Sequence, residues 1–350
     1  MDVSDFDFEL PPELIAQQPP AVRGTSRLLV LEKRTGAIAH RQIDALPDLL
    51  RPGDLLVVNN TRVFPARLLG HRVPSGGRVE CLLVGRMGDP GDQQWEALMH
   101  PGQKLKPGAR VVFGDQPAIQ GEVLERRFFG RRIVRLSTDD PRGIEAAIEA
   151  IGHVPLPPYI HRPDLAQDRE RYQTVYARER GSVAAPTAGL HFTDRILQEL
   201  AARGIDRAEI TLHVGYGTFQ PVRVAQVEAH RVETEHYEIG EPAAAAVNRA
   251  LDEGRRVIAV GTTTTRTLEG VAARYGGRLV AGRGETDLFI YPGFRFQVLS
   301  GLLTNFHLPR SSLLMLVSAF AGREHVLAAY HRAIDLKYRF YSYGDAMLCL

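Results

Sequence analysis

Three histidines stand in glycine- and hydroxyl-rich loops that follow apolar runs. His191 lies in Gly181-Ser-Val-Ala-Ala-Pro-Thr-Ala-Gly-Leu-His-Phe-Thr193, His213 heads His213-Val-Gly-Tyr-Gly-Thr-Phe219, and His307 lies in Leu303-Thr-Asn-Phe-His-Leu-Pro309. An unperturbed imidazole titrates near neutral pH, so each can take or give a proton, and residue type alone does not rank the three. Asp287 falls inside the apolar run Glu285 to Ile290. A carboxylate there must be paired, protonated or at a site, which makes it the fourth acid–base candidate.

Groups suited to holding a substrate cluster beside them. The two central loops contribute Thr187, Gly189, Gly215, Gly217 and Thr218; Asn305 adds an amide, and Asn59, Asn60 and Arg62 end another apolar run. In Val260-Gly-Thr-Thr-Thr-Thr-Arg266, Gly261, Thr262, Thr263 and Thr264 form a turn between a strand and a helix expected from Thr267 to Arg274. Backbone N–H groups at such a helix start favour an anion, and Arg266 would add a charge-assisted bond to a carboxylate or phosphate. No Lys follows the glycine, so this is not a Walker motif. Arg126, Arg127, Arg131 and Arg132 flank Gly130 in the densest basic cluster, with two phenylalanines between them. That mixture suits a nucleic-acid backbone, although a solvated hairpin would use the same residues.

The elements that must position these groups alternate in type. Phe6 to Leu10, Arg27 to Leu31 and Asp54 to Asn59 read as strands, and Ile43 to Leu50 as a helix, giving β-α-β. From Pro65 to Leu136 only short strand-like runs occur: 66–69, 78–84, 95–99, 110–113, 121–125 and 132–136. Even spacing with Gly and Pro punctuation indicates an inserted antiparallel barrel or sandwich. A helix ending at Gly152 and the proline-rich Val154 to Ile160 lead back to α/β. Strands are then expected at Ser182 to Ala185, Ile210 to Val214, Arg256 to Val260, Glu285 to Ile290, Leu302 to Phe306 and Tyr338 to Tyr343. Helices are expected at Asp194 to Arg203, capped by Thr193, and at Pro242 to Glu253, Ser311 to Ala321 and Glu324 to Lys337.

Composition narrows the class. With 350 residues, two domains are expected, and a net charge of +2 leaves any nucleic-acid contact to a local patch. Cys81 and Cys349 are the only cysteines and lie far apart in sequence, and no His or carboxylate spacing suggests a metal site. No apolar run reaches a membrane span, and the acidic N-terminus lacks signal-peptide character, so a cytoplasmic protein without a membrane partner is expected.

Eight motifs carry a resemblance that covers nearly the whole chain. Phe6-Asp-Phe-Glu-Leu-Pro11, Asn59-Asn-Thr-Arg-Val63, the two central loops, Gly261-Thr-Thr-Thr-Thr-Arg266, Thr286-Asp-Leu-Phe-Ile290, Leu303 to Pro309 and Tyr343-Gly-Asp-Ala-Met347 resemble the S-adenosylmethionine:tRNA ribosyltransferase-isomerases of queuosine biosynthesis. Ser312 and Tyr341 stand where Thr and Phe are usual. The resemblance implies an α/β domain, residues 1–62 plus 153–350, interrupted by an antiparallel β-barrel at 63–152. It implies transfer and isomerisation of the ribosyl part of S-adenosylmethionine onto 7-aminomethyl-7-deazaguanine at the tRNA wobble position, giving epoxyqueuosine-tRNA with release of adenine and methionine. S-adenosylmethionine is then a consumed co-substrate, with no further cofactor and no metal, and a monomer is expected. Two other classes remain open, a nucleotide-handling hydrolase and a non-catalytic RNA-binding protein.

Overall fold

The computed structural model describes residues 1–215, 217 and 222–350, with the backbone alone at residues 90 and 129. The chain opens with β1 (Arg27–Leu31), β2 (Ile38–Gln42), the short helix α1 (Leu46–Leu49), β3 (Leu55–Asn59) and β4 (Thr61–Val63). Six strands follow: β5 (Arg67–Val73), β6 (Arg78–Met87), β7 (Gln94–His100), β8 (Arg110–Phe113), β9 (Ile119–Arg126) and β10 (Arg131–Thr138). Next come α2 (Ile144–Ile151), α3 (Asp168–Arg171), β11 (Glu179–Ser182), α4 (Asp194–Ala202), β12 (Asp206–Leu212), β13 (Glu235–Ile239) and α5 (Glu241–Asp252). The chain finishes with β14 (Val257–Val260), α6 (Thr262–Arg274), β15 (Gly282–Thr286), β16 (Gly301–Asn305), α7 (Ser312–Ala321), α8 (Arg323–Asp335) and β17 (Ala346–Cys349).

One sheet runs β15-β13-β12-β3-β14-β16-β17-β1-β2, and its centre, β12, β3, β14 and β16, is parallel. These strands are apolar throughout because both faces are covered. Leu55, Val57, Val257 and Ala259 pack under α5, α6, α7 and α8, whereas the alternating Leu56, Val58, Ile258 and Val260 pack with Leu46, Ile196 and Leu200 from α1 and α4. Each fully buried Leu or Val contributes about 1.5–3 kcal/mol, so the strand ends that present loop residues are anchored on two sides.

β5 to β10 close a six-stranded antiparallel barrel in the order β10-β7-β6-β5-β8-β9. Their inward residues, among them Leu68, Cys81, Trp95, Phe113 and Val134, form a separate core that includes Ile144, Ala147 and Ile148 of α2. The expected mixed α/β architecture with a barrel is the one observed. The segment after α2 is pinned by Asp168, which accepts from Arg162 at 2.7 and 2.9 Å, from the Leu165 amide at 2.8 Å and from the Tyr343 hydroxyl at 2.9 Å. Burial alone would raise its carboxyl pKa, but these donors outweigh it and hold the group below the usual carboxylate range.

Several expected elements are displaced, for local reasons. Val3–Phe6 is a 3-10 turn and residues 8–10 join no strand. Ile38–Gln42, not anticipated, hydrogen-bonds to β1. The strand expected at Ser182 to Ala185 ends at Ser182, whose hydroxyl accepts from the Val214 amide and donates to the Ala184 carbonyl, both at 2.8 Å. Side-chain bonds there replace the ladder. Tyr341 has φ of 75°, which breaks the extended run expected over 338–343, and the last strand forms beyond it. The threonine run is not a turn but the first helical turns of α6.

Candidate functional site

Central to the site is the start of α6, at the C-terminal end of β14. Gly261 takes φ of +89°, a conformation that side-chain-bearing residues rarely adopt, and this swings the chain from strand into helix. Thr264 and Thr265 donate their hydroxyls back to Val260 O (2.7 Å) and Gly261 O (3.1 Å), and Thr267 to Thr263 O (3.0 Å). Such back-bonding to carbonyls four residues earlier satisfies the hydroxyls of a buried threonine run inside the helix. Thr263 Oγ1 is buried and finds no partner among the described residues. The backbone N–H groups of the first helical turn likewise lack partners within the helix.

The neighbouring β16 ends in a second polar group. Asn305 is 2% exposed; its Nδ2 donates to Tyr341 O at 3.0 Å and lies 3.2 Å from His191 Nε2, while its Oδ1 is buried and unpartnered among the described residues. His307 is buried too, with Nε2 2.9 Å from Thr304 Oγ1 and its own amide bonded to Tyr330 Oη. Burial lowers the pKa of His307 to about 3 and that of His191 to about 4, so both rings are neutral near pH 7. Thr187, Gly261, Thr262, Thr263, Asn305 and His307 line one small pocket of about 50 Å³, which reaches about 550 Å³ only when its open mouth is counted. Tyr159, Tyr341, Ser342, Val214, Thr304, Leu313 and the stretch 184–188 complete it, and none of the described residues lining it carries a formal charge.

A neutral pocket at parallel strand ends, with a helix N-terminus on one side and two orphaned polar atoms, is built for a polar small molecule. Tyr159, Tyr341 and Ser342 were not anticipated. They come from the proline-rich segment and the C-terminal segment, which only the fold brings together. The one local signal was an aromatic residue inside Val154 to Ile160.

Other expected site residues are engaged elsewhere. Arg266 reaches away from the pocket: its Nη1 donates to Glu235 Oε2 at 2.6 Å and its Nε to Leu288 O at 2.9 Å. Glu235 also accepts from the Gly215 amide at 3.1 Å, so the pair ties the second glycine loop to α6. Asp287 is not within a strand; β15 pairing stops at Thr286 and the carboxylate is exposed. Asn59 is used up by Leu212 and Thr61 backbone groups, and Asn60 by Thr211 and Glu209. Arg62 is exposed on β4, and Thr264 is bonded to Val260. Gly189 is required for packing, because a Cβ there would collide with Tyr176 Oη. Gly217 lines a smaller cleft with Glu233 and Arg266, and Thr218 lies outside the described residues.

His213 is half-buried, with Nδ1 2.9 Å from Thr61 Oγ1, and burial lowers its pKa. Its neighbour Val214 lines the pocket but His213 does not. With both nitrogens of His191 occupied, His307 is the imidazole of the three that lines the pocket and makes no hydrogen bond through Nδ1 among the described residues.

A second, larger cleft of about 720 Å³ separates the barrel from the segment 155–162. Arg67, Glu80, His100, Gly130 and Arg131 form the barrel wall, and Pro155 to Pro158, Ile160 and Arg162 face them. The two cavities lie on either side of the same chain segments: Ile160 and Val183 line the large cleft, Tyr159 and Ala184 the small pocket. The arginine hairpin projects at the rim of this cleft. Phe128 at its tip is 87% exposed, Arg126 is exposed, and Arg127 pairs with Glu125 at 3.3 Å on the surface. Arg131 bonds Glu96 at 2.7 Å and Glu233 at 2.5 Å. Arg132 does not belong with them. It is 1% exposed, turned inward by the alternation of β10, and its guanidinium is spent on Leu105 O, Gly102 O and Arg131 O.

No group of three or more His, Cys, Asp or Glu among the described residues could hold a metal ion, and no single helix there is long and apolar enough to cross a membrane.

Residues 3–349 match the family model described as queuosine biosynthesis protein. The S-adenosylmethionine:tRNA ribosyltransferase-isomerase of Heliobacterium modesticaldum is 53% identical over 350 residues, covering all of both chains. The protein of the same name from Syntrophotalea carbinolica is 53% identical over 351 residues, again with full coverage. The crystal structure of S-adenosylmethionine tRNA ribosyltransferase from Thermotoga maritima matches with a TM-score of 0.55 and 38% identity, covering 99% of this chain and 100% of that one.

Proposed function

The chain belongs to the queuosine biosynthesis protein family and is an S-adenosylmethionine:tRNA ribosyltransferase-isomerase; we propose that its reaction runs where the neutral pocket meets the barrel cleft. S-adenosylmethionine occupies the pocket, with its carboxylate on the first-turn N–H groups of α6 and its adenosyl portion against Thr263 and Asn305. The 7-aminomethyl-7-deazaguanine of the tRNA wobble position enters through the larger cleft. The observation that supports this reading is the pair of buried unpartnered atoms, Thr263 Oγ1 and Asn305 Oδ1, on residues that line one uncharged pocket beside that cleft. Buried polar groups without partners cost about 1–3 kcal/mol each, which a polar ligand relieves.

The sulfonium of S-adenosylmethionine acidifies the adjoining ribose C–H, and His307, whose Nδ1 makes no hydrogen bond among the described residues, is the imidazole lining the pocket that is placed to take that proton, although the burial that keeps it neutral also weakens it as a base. The enzyme is proposed to act as a cytoplasmic monomer with no cofactor beyond its consumed co-substrate. Labelled S-adenosylmethionine incubated with tRNA bearing the deazaguanine base is expected to release adenine and methionine in step with ribosyl transfer. Turnover without tRNA would indicate a hydrolase, and tRNA binding without turnover a binding protein.

On this reading, the hairpin at the cleft rim grips the anticodon arm. An exposed phenyl ring between arginines suits stacking on an unpaired base, worth about 1–3 kcal/mol. Phe128→Ala is expected to weaken tRNA binding by that amount. Arg126→Ala with Arg127→Ala is expected to flatten the salt dependence by about one unit of slope for each phosphate left without its arginine. Titration at two salt concentrations decides the matter; an unchanged affinity at both removes the hairpin from the interface.

A further inference from the structure

The Asn305 amide has a determinable orientation. Tyr341 O can only accept, so the Asn305 atom 3.0 Å from it is the nitrogen, and the same nitrogen lies 3.2 Å from His191 Nε2. An amide N–H facing an imidazole nitrogen requires a lone pair there, so Nε2 is unprotonated. The proton of the neutral ring is therefore on Nδ1, which donates to Ser26 Oγ at 2.9 Å. Both hydrogens of Nδ2 are used, and Oδ1 is left buried and unpartnered in a residue that lines the pocket. His191 and Ser26 belong instead to a shallow cleft behind, lined by Arg23, Arg171 and Gly344.

We propose that His191 is a positioning residue: through its Nε2 lone pair it locks the Asn305 amide so that a carbonyl oxygen, not an NH2, faces the pocket, which selects a substrate offering a neutral hydrogen-bond donor there. One hydrogen bond, to Tyr341 O, leaves the amide able to swing about its terminal torsion, whose wells are broad; a second on the same nitrogen fixes its plane. The donor is neutral because no carboxylate lines the pocket to balance a cation held against Oδ1. A ribose hydroxyl or the exocyclic amine of the adenosyl portion fits, which rests on the placement of S-adenosylmethionine given above. The role also accounts for a histidine that cannot exchange protons with substrate, since both its nitrogens are engaged.

Nitrogen-detected NMR of the full-length enzyme at pH 7 is expected to show the Nδ1–H tautomer for His191; the Nε2–H tautomer overturns the proposal. His191→Leu, retaining the wild-type melting temperature, is expected to raise KM for S-adenosylmethionine about 2- to 12-fold with kcat little changed, one hydrogen bond's worth of ordering. In His191→Gln the side-chain oxygen can accept from Asn305 again, and part of the loss should return. Equal KM values for the Leu and Gln variants would mean the effect is packing, which overturns the positioning role. Asn305→Ala is expected to raise KM about 5- to 150-fold because the donor is left unpaired. An unchanged KM in that variant, alongside the Nδ1–H tautomer, would instead overturn the placement of S-adenosylmethionine and with it the selection, while leaving the amide orientation intact.

Discussion

Replacing Arg266 with Ala is expected to cost about 3–5 kcal/mol of folding stability, the usual penalty for stripping one partner from a buried ion pair. Arg266 is 8% exposed and Glu235 4%, and their contact of 2.6 Å is reinforced by Leu288 O on one side and the Gly215 amide on the other. The loss arises because Glu235 stays buried as a charge after its guanidinium is gone. Against a total stability of about 5–15 kcal/mol for a typical domain, such a loss should show as a lower denaturant midpoint and a reduced folded yield. It should not show as a selective rise in KM for S-adenosylmethionine, which is what a substrate-carboxylate contact would give.

Arg266→Lys can keep the charge on Glu235 but not the planar fork that also reaches Leu288 O, so partial recovery is expected. A double replacement of Arg266 and Glu235 by Met and Leu removes both charges and should recover more than either single change. A folded Arg266→Ala enzyme of normal stability with a raised KM would return this residue to the substrate.

The motif containing Arg266 shows how far local sequence reaches toward function and where it stops. Its glycine and hydroxyls do mark a strand-to-helix junction facing a pocket, because β-strand period and a left-handed glycine are local properties. Its arginine pairs within the protein instead of with an anionic ligand, and the deciding partner, Glu235, lies 31 residues away on a strand whose register the sequence does not display. Weak helix propensity argues for a turn at the threonines, yet in the buried helix three of them satisfy their hydroxyls on carbonyls four residues back, and packing decides for the helix.

The barrel was legible for the opposite reason. Its strands largely alternate, with turn residues between, and the observed β5 to β10 overlap every expected run. The same alternation, carried one residue further, turns Arg132 inward and Arg131 outward, a distinction that counting arginines in a cluster overlooks. Asp287 failed at a strand end, where a shift of one residue moves a side chain from core to solvent. Tyr159, Tyr341 and Ser342 were illegible because nothing local links a proline-rich connection to the C-terminal segment.

His307 carries the largest kinetic expectation. It lines the pocket, its Nε2 is held by Thr304 Oγ1 at 2.9 Å, and Nδ1 makes no hydrogen bond among the described residues. In the Nε2–H tautomer, whose N–H donates to Thr304 Oγ1, the Nδ1 lone pair is the basic position presented to substrate. His307→Gln keeps much of the side chain's length and polarity but removes the basic nitrogen. It is expected to lower kcat by about 10²–10⁴, the range for a general base, with KM for S-adenosylmethionine changed only a few-fold.

Burial lowers the pKa of this imidazole from 6.5 to about 3, so the neutral, proton-accepting form persists above that value and is lost only as pH falls through it. Protonation of His307 should therefore leave no acid limb in kcat between about pH 5 and 8, whereas an exposed imidazole base would produce one near its ordinary pKa. Normal turnover in the folded Gln variant would transfer the role to another group, and His213, one residue from the pocket wall and held by Thr61, is the first to test. A large loss of kcat in both His307→Gln and His191→Leu would contradict the division of roles in which one imidazole accepts the proton and the other only fixes an amide.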